Sequence, residues 1–157
     1  MDIPIRRRII NGGETNFGIT KAVAMENSYN GDMKDIPIDV VRNIYKTKYW
    51  DMLHLDAIEK YSIAIAIKLF QMSINIGPHT TSTIFQKCIN LFIKDEIQED
   101  GIIGDNTLLK FYKIVEHDKE NILKTLNLFQ GYLYIKICQR DKDQKIFYRG
   151  WLSRAFL

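Results

Sequence analysis

The sequence is poor in the residues that staple small domains together. Only two cysteines, Cys88 and Cys138, occur in 157 residues, and both fall inside apolar helical patterns, where a free thiol behaves as a small hydrophobe. A disulfide framework is therefore not expected. The three histidines, His54, His79 and His117, stand singly, with no pair at i, i+4 and no cysteine at ligand spacing. That pattern predicts neither a metal site nor any other cofactor.

Long apolar runs are missing too. The strongest, Ile63 to Ile76, is interrupted by Lys68, Gln71, Ser73 and Asn75, which leaves it too short and too polar for a membrane span. The basic leader passes into a glycine turn without an apolar segment, so no secretory signal is expected, and a target outside the cytoplasm would need another route. A single sign of charge is also lacking: the formal net charge is +3, which suits anionic polymers without selecting one. Arg6-Arg7-Arg8 is the one dense basic run and reads first as a solvated leader or helix start. No internal repeat and no alternating hairpin pattern appears.

What is present is enough for a core. A hydrophobic fraction of 46% with 26% charged residues describes a globular chain of one domain, or one lobe with a small appended module. Its most distinctive stretch is Gly12-Gly13-Glu14-Thr15-Asn16-Phe17-Gly18-Ile19-Thr20, with Thr20 placed to cap a helix to Asn27. Asp35 and Pro37 open a second helix, Ile38 to Tyr49, with Val41, Ile44, Tyr45 and Lys48 on one face. A third helix is expected from Asp56 to Ile76, striped by Ile63, Ile67, Phe70 and Ile74, flanked by Ala64 and Ala66, and ended by Gly77-Pro78. Thr80 to Lys94 is the fourth, and Gly101 to Thr107 forms a second glycine-bounded turn that opens a helix to Glu116. Asp118 then caps a long helix through Ile137, and a last segment carries Phe147, Tyr148, Trp151, Leu152 and Phe156. The fold class is all-α, about seven helices around one core.

Four blocks in this order resemble a known family, the phage-type N-acetylmuramidases of glycoside hydrolase family 108, also met as secretion-activator proteins, with their C-terminal peptidoglycan-binding segment. They are Gly12 to Thr20; Ile44-Tyr45-Lys46-Thr47-Lys48-Tyr49-Trp50-Asp51; Phe70-Gln71-Met72-Ser73-Ile74-Asn75-Ile76-Gly77; and Asp100-Gly101-Ile102-Ile103-Gly104 with Thr107 and the tail Phe147 to Arg154. The resemblance implies a lysozyme-like helical fold, with residues 1–78 as the muramidase-like part and 79–157 as the peptidoglycan-binding part, packed as one unit. It implies cleavage of the β-1,4 bond between N-acetylmuramic acid and N-acetylglucosamine. It also implies synthesis in a bacterial cytoplasm and action at the cell wall, reached through a holin or another export machinery.

Such cleavage needs a carboxylic acid kept out of water so that it stays protonated. In the family that acid is the Glu of a Glu-Gly-Gly-Tyr motif ahead of the Gly-Gly-x-Thr block, and residues 1–11 here contain no Glu. Glu14 is the nearest substitute, although a surface Glu in a turn is the plainer reading. The resemblance assigns substrate contacts to Thr15, Asn16, Gly18, Thr20, Tyr49, Trp50, Asp51 and Asn75. Peptidoglycan contacts fall to Asp100, Gly101, Gly104 and Trp151. For Tyr45, Tyr49 and Trp50, packing competes with a sugar platform, and Asp51 also suits a hydrogen bond to the loop after the second helix. Three readings stay open: an active muramidase using Glu14, a catalytically dead relative that binds glycan strands, and a helical nucleic-acid binder, for which no recognition motif is present.

Overall fold

The computed structural model describes residues 14–156, which form an all-α protein with seven α-helices and one small hairpin. The hairpin pairs β1 (Thr15–Asn16) with β2 (Ile19–Thr20), Thr15 opposite Thr20 and Asn16 opposite Ile19. Sequence alternation over two residues is too short to signal it, so the expectation of no hairpin is corrected here. Its turn places both Phe17 (φ 50°) and Gly18 (φ 75°) in the left-handed region, which the tight hairpin turns require. Asn16 fixes it from the side chain: its Oδ1 accepts from the Phe17 N–H at 2.9 Å and its Nδ2 donates to the Met33 carbonyl at 2.8 Å.

Thr20 caps α1 (Lys21–Glu26) by accepting from Val23 N–H. Asp32, not Asp35, does the next capping, holding the 3-10 turn Met33–Asp35. Helix α2 (Ile38–Tyr45) follows Pro37, then widens into a π-helical turn over Lys46–Trp50 and tightens into a 3-10 turn over Asp51–Leu53. The helix expected from Asp56 to Ile76 is two helices, α3 (Leu55–Glu59) and α4 (Ile63–Ile76). Ser62 separates them because its hydroxyl takes the Ile65 N–H and starts α4 afresh. Gly77, at φ 88°, ends α4, and Pro78 becomes the first residue of α5 (Pro78–Asn90). Asp118 does not cap a new helix. The break expected there is present, because its non-helical backbone (φ −117°, ψ 16°) divides α6 (Asp105–Arg140) into two helical stretches across a kink, but its Oδ1 accepts from Asn121 Nδ2; α7 (Tyr148–Ala155) folds back after a 3-10 stretch, Lys142–Phe147.

A small cluster of Ile19, Ala24, Met33, Ile36, Val41 and Ile44 underlies the hairpin. The larger core runs from Leu53 to Leu133, with α4 packed against α3, α5 and α6. The buried face of α4 is Ile65, Ala66, Leu69 and Met72, whereas Ile63 and Ile67 are exposed. Of the expected stripe, Ile63 and Ile67 are thus turned to solvent, while Phe70 packs against the edge of the main core. Helix α4 is apolar around most of its circumference, and periodicity alone does not select a face on such a helix. Cys88 and Cys138 are both buried free thiols, and burial pushes the Cys88 thiol up to about 12.

The buried face of α4 also carries Lys68, only 3% exposed. Its Nζ donates to the Ala155 carbonyl at 2.7 Å and to the Arg154 carbonyl at 3.4 Å. These belong to the last turn of α7, where a helix leaves carbonyls unpaired and favours positive charge. Burial lowers the Lys68 pKa to about 8, beneath the roughly 10.4 of an unfolded lysine. Between those values the unfolded chain binds more protons, so this group makes stability rise with pH from about 8 to about 10.4. Lys68→Met should abolish that increment. Thermal melts of both proteins at about pH 7.5, 8.5 and 9.5 measure it, and parallel pH dependences would contradict this assignment.

Candidate functional site

Helix α2, the π-helical turn and the second half of α4 enclose an open groove of about 580 Å³. Val41, Tyr45, Trp50, Phe70 and Ile74 supply its apolar walls, and Arg42 and Lys46 stand along α2. Residues 41, 42, 45 and 46 share a helical face by i, i+4 spacing. In an α-helix Trp50 would lie about 140° around from Tyr45; the wider π turn, with its i to i+5 bonding, returns it towards that face. The Phe70 ring then meets Trp50 at 5.6 Å and Tyr45 at 6.3 Å, both edge-on.

The hairpin leans on this groove through one contact. Tyr45 Oη donates to the Phe17 carbonyl at 2.7 Å, and a Cβ on Gly18 would stand 3.0 Å from that oxygen. Partial burial, with the neighbouring Tyr49, raises the Tyr45 pKa. Lys46 Nζ lies 2.7 Å from Asp51 Oδ1 and 3.9 Å from Asp56 Oδ2, and the Asp51 hydrogen bond raises its pKa first of all. Trp50 Nε1 donates to Asp56 Oδ1 at 2.7 Å. Arg42 makes a 3.3 Å pair with Asp39, both well exposed.

The sequence-predicted residues divide between this groove and other places. Only Trp50 lines it; Gly18 approaches it at the Tyr45 hydroxyl and Asp51 through Lys46, with Tyr49 buried behind, 5.6 Å from the Tyr45 ring. Asn16 spends its amide on the hairpin and on Met33, and Thr20 caps α1. Thr15 is exposed on β1. Glu14 is exposed and 3.5 Å from Lys21 Nζ, in solvent and outside any water-poor pocket of the kind a general acid needs. Asn75 donates to the Gln71 carbonyl and meets Arg154 of α7 at 3.5 Å. Gly12 and Gly13 lie outside the described residues.

The second glycine turn is built around a residue that sequence reasoning passed over. Gln86 of α5 is 1% exposed; its Nε2 donates to Asp100 Oδ1 at 2.8 Å and to the Ile102 carbonyl at 2.9 Å, while its Oε1 accepts from Gly101 N–H at 2.8 Å. The Gln86 hydrogen bond, with the Ile102 N–H, holds the Asp100 carboxyl below the usual carboxylate range. Gly101 has φ 76° and Gly104 precedes α6 as its cap residue. Trp151, half-buried, stacks between Tyr134 at 5.2 Å and Phe147 at 5.8 Å. Arg42 and Lys68 were likewise passed over. The one available signal for Lys68 was a lone charge in the middle of an apolar helix, and for Arg42 its i, i+4 partnership with Lys46.

Among the described residues no cluster of His, Cys, Asp and Glu could hold a metal ion, and no helix is long and apolar enough to cross a membrane. No curated protein matches the chain. Residues 11–77 match the family profile described as Glycosyl hydrolase 108, and residues 80–156 match the one described as Predicted Peptidoglycan domain. Both profiles stand in the order that the motif blocks imply, so the resemblance to glycosyl hydrolase 108 with a C-terminal peptidoglycan segment is matched segment by segment, residues 11–77 by the first and 80–156 by the second.

Proposed function

We propose that this is a peptidoglycan-directed, muramidase-like protein, and that the 157-residue chain holds glycan strands without cleaving them at the rate of a muramidase. The two family matches support the target. The reading of the chemistry rests on one observation: among the described residues every Asp and Glu is exposed except Asp118, half-buried at the α6 kink. Protonating a glycosidic oxygen requires a carboxylic acid shielded from water opposite a second carboxylate or a held water, and exposed carboxylates do not meet that requirement. Peptidoglycan contacts are assigned to Trp50 in the groove wall, to Gly18 and Asp51 beside it, and to Thr15 and Thr20 of the hairpin, outside the groove lining. Asp100, Gly101, Gly104 and Trp151 are assigned to the second segment, with the division at residues 78 and 79. Release to the wall through a holin or another export route belongs to the same proposal.

Purified protein should sediment with sacculi while leaving the turbidity of the suspension unchanged. Clearing that is lost in Glu14→Gln would replace this reading with an active muramidase using Glu14 as its acid. Failure to sediment would remove peptidoglycan as the partner, and salt-sensitive retention on DNA would then favour a nucleic-acid role.

A further inference from the structure

We propose that the groove between α2 and α4 receives the peptide stem of peptidoglycan, and that Arg42 reads a carboxylate of that stem. This deepens the peptidoglycan reading above and rests on it. A pyranose carries hydroxyls that donate as well as accept, so a sugar subsite needs side-chain acceptors such as carboxylates or amides. The groove lining has almost none. Its side chains are Val41, Ile74, Phe70, Trp50, the two cations and Tyr45, and the Tyr45 hydroxyl already donates to Phe17. Such a surface complements a ligand that is apolar and anionic together.

Peptidoglycan has one part of each kind. Its glycan is rich in hydroxyls, whereas its short stems carry methyl side chains and free carboxylates. A volume of about 580 Å³ falls in the size range of pockets that take small ligands, enough for a short stretch of stem. Of the two cations, Lys46 is already held by Asp51 and Asp56. The ion pair of Arg42 is with Asp39, one turn away on the same helix, with the two side chains 73% and 87% exposed. An exposed pair of that kind is weak, and a carboxylate offering a two-point contact to the guanidinium displaces it readily. Methyl groups would then lie over Phe70 and Trp50.

The test is retention of the full chain on two polymers fixed to beads through their glycan: intact sacculi, and sacculi whose stems have then been removed by an N-acetylmuramoyl-L-alanine amidase. Wild type should bind intact sacculi on the order of tenfold more tightly, as expected for one charge-assisted contact. Arg42→Glu should bind both at the stripped level. Lys145→Glu, at an exposed cation elsewhere, should keep the wild-type ratio, because stem removal also lowers the charge of the polymer. Equal wild-type binding to both polymers overturns the proposal, as does an Arg42→Glu protein that still discriminates or a Lys145→Glu protein that loses the ratio equally. Absence of binding to either polymer is instead the failure of the peptidoglycan reading, and removes this one with it. Circular dichroism of each variant shows that the fold is kept.

Discussion

Phe85→Ala is expected to lower the unfolding free energy by about 3–5 kcal/mol, the cost of emptying a fully buried aromatic site. Phe85 is 0% exposed at the centre of α5. Its ring meets Phe111 of α6 edge-on at 5.3 Å, and Phe111 lies 6.4 Å from Tyr61, which stacks on Tyr112 at 4.2 Å. Four rings therefore tie α5 to α6 and to the turn between α3 and α4. Truncation removes the transfer energy of the ring, leaves a cavity and loses an edge-to-face contact worth about 0.5–1.5 kcal/mol. Domains of this kind are stable by only about 5–15 kcal/mol, so the loss is a large fraction of the whole. Urea denaturation reads it as a fall in midpoint with the slope unchanged. Leu128→Ala, at a site 64% exposed, should stay within about 0.5 kcal/mol of wild type. A Phe85→Ala loss near that of Leu128→Ala would mean that α5 is not packed as described.

The second large effect belongs to Gln86→Leu, expected to cost about 2–3 kcal/mol. Leucine fills much of the volume but leaves the Gly101 N–H and the Ile102 carbonyl without their buried partner. The asymmetry of hydrogen bonding makes this costly, since an abandoned buried donor loses its full compensation. A site-specific readout accompanies the stability change. The Asp100 carboxyl is held low chiefly by the Gln86 amide, so its titration, followed by NMR, should move upward in Gln86→Leu. If stability falls while Asp100 titrates as before, the amide is not what organises the turn.

These two sites also show where the sequence was legible. Helix ends were readable because single residues force them: Thr20 must cap, and Gly77-Pro78 can neither continue α4 nor avoid starting α5. The all-α class followed from the helical spacing of apolar residues, as did the buried face of α2 at Val41 and Ile44. The face of α4 did not follow, because isoleucines on several sides give no stripe to follow. The Ser62 cap was hidden inside one long apolar pattern, and the kink at Asp118 resembled a cap because Asp suits both. Of the groove lining, the motif blocks name Trp50 among their expected contacts. Gln86, Lys68 and Arg42 were not legible in this way. Their importance comes from partners 14 to 87 residues away for Gln86 and Lys68, and for Arg42 from a groove whose other wall, Phe70 and Ile74, belongs to α4.

The hydrogen bonds of Lys68 bear on how such chains can recombine. The residue lies in the hydrolase-family segment, and its acceptors, Arg154 and Ala155, close the peptidoglycan segment. A crossover between relatives at residues 77–80 would give α4 a foreign C-terminal part. Unless the newcomer also lays the carbonyl end of a helix over α4, the graft leaves an ammonium buried without an acceptor, a defect of several kcal/mol. The two segments can thus be told apart by sequence, yet a buried charge of the first is satisfied only by the last helix of the second.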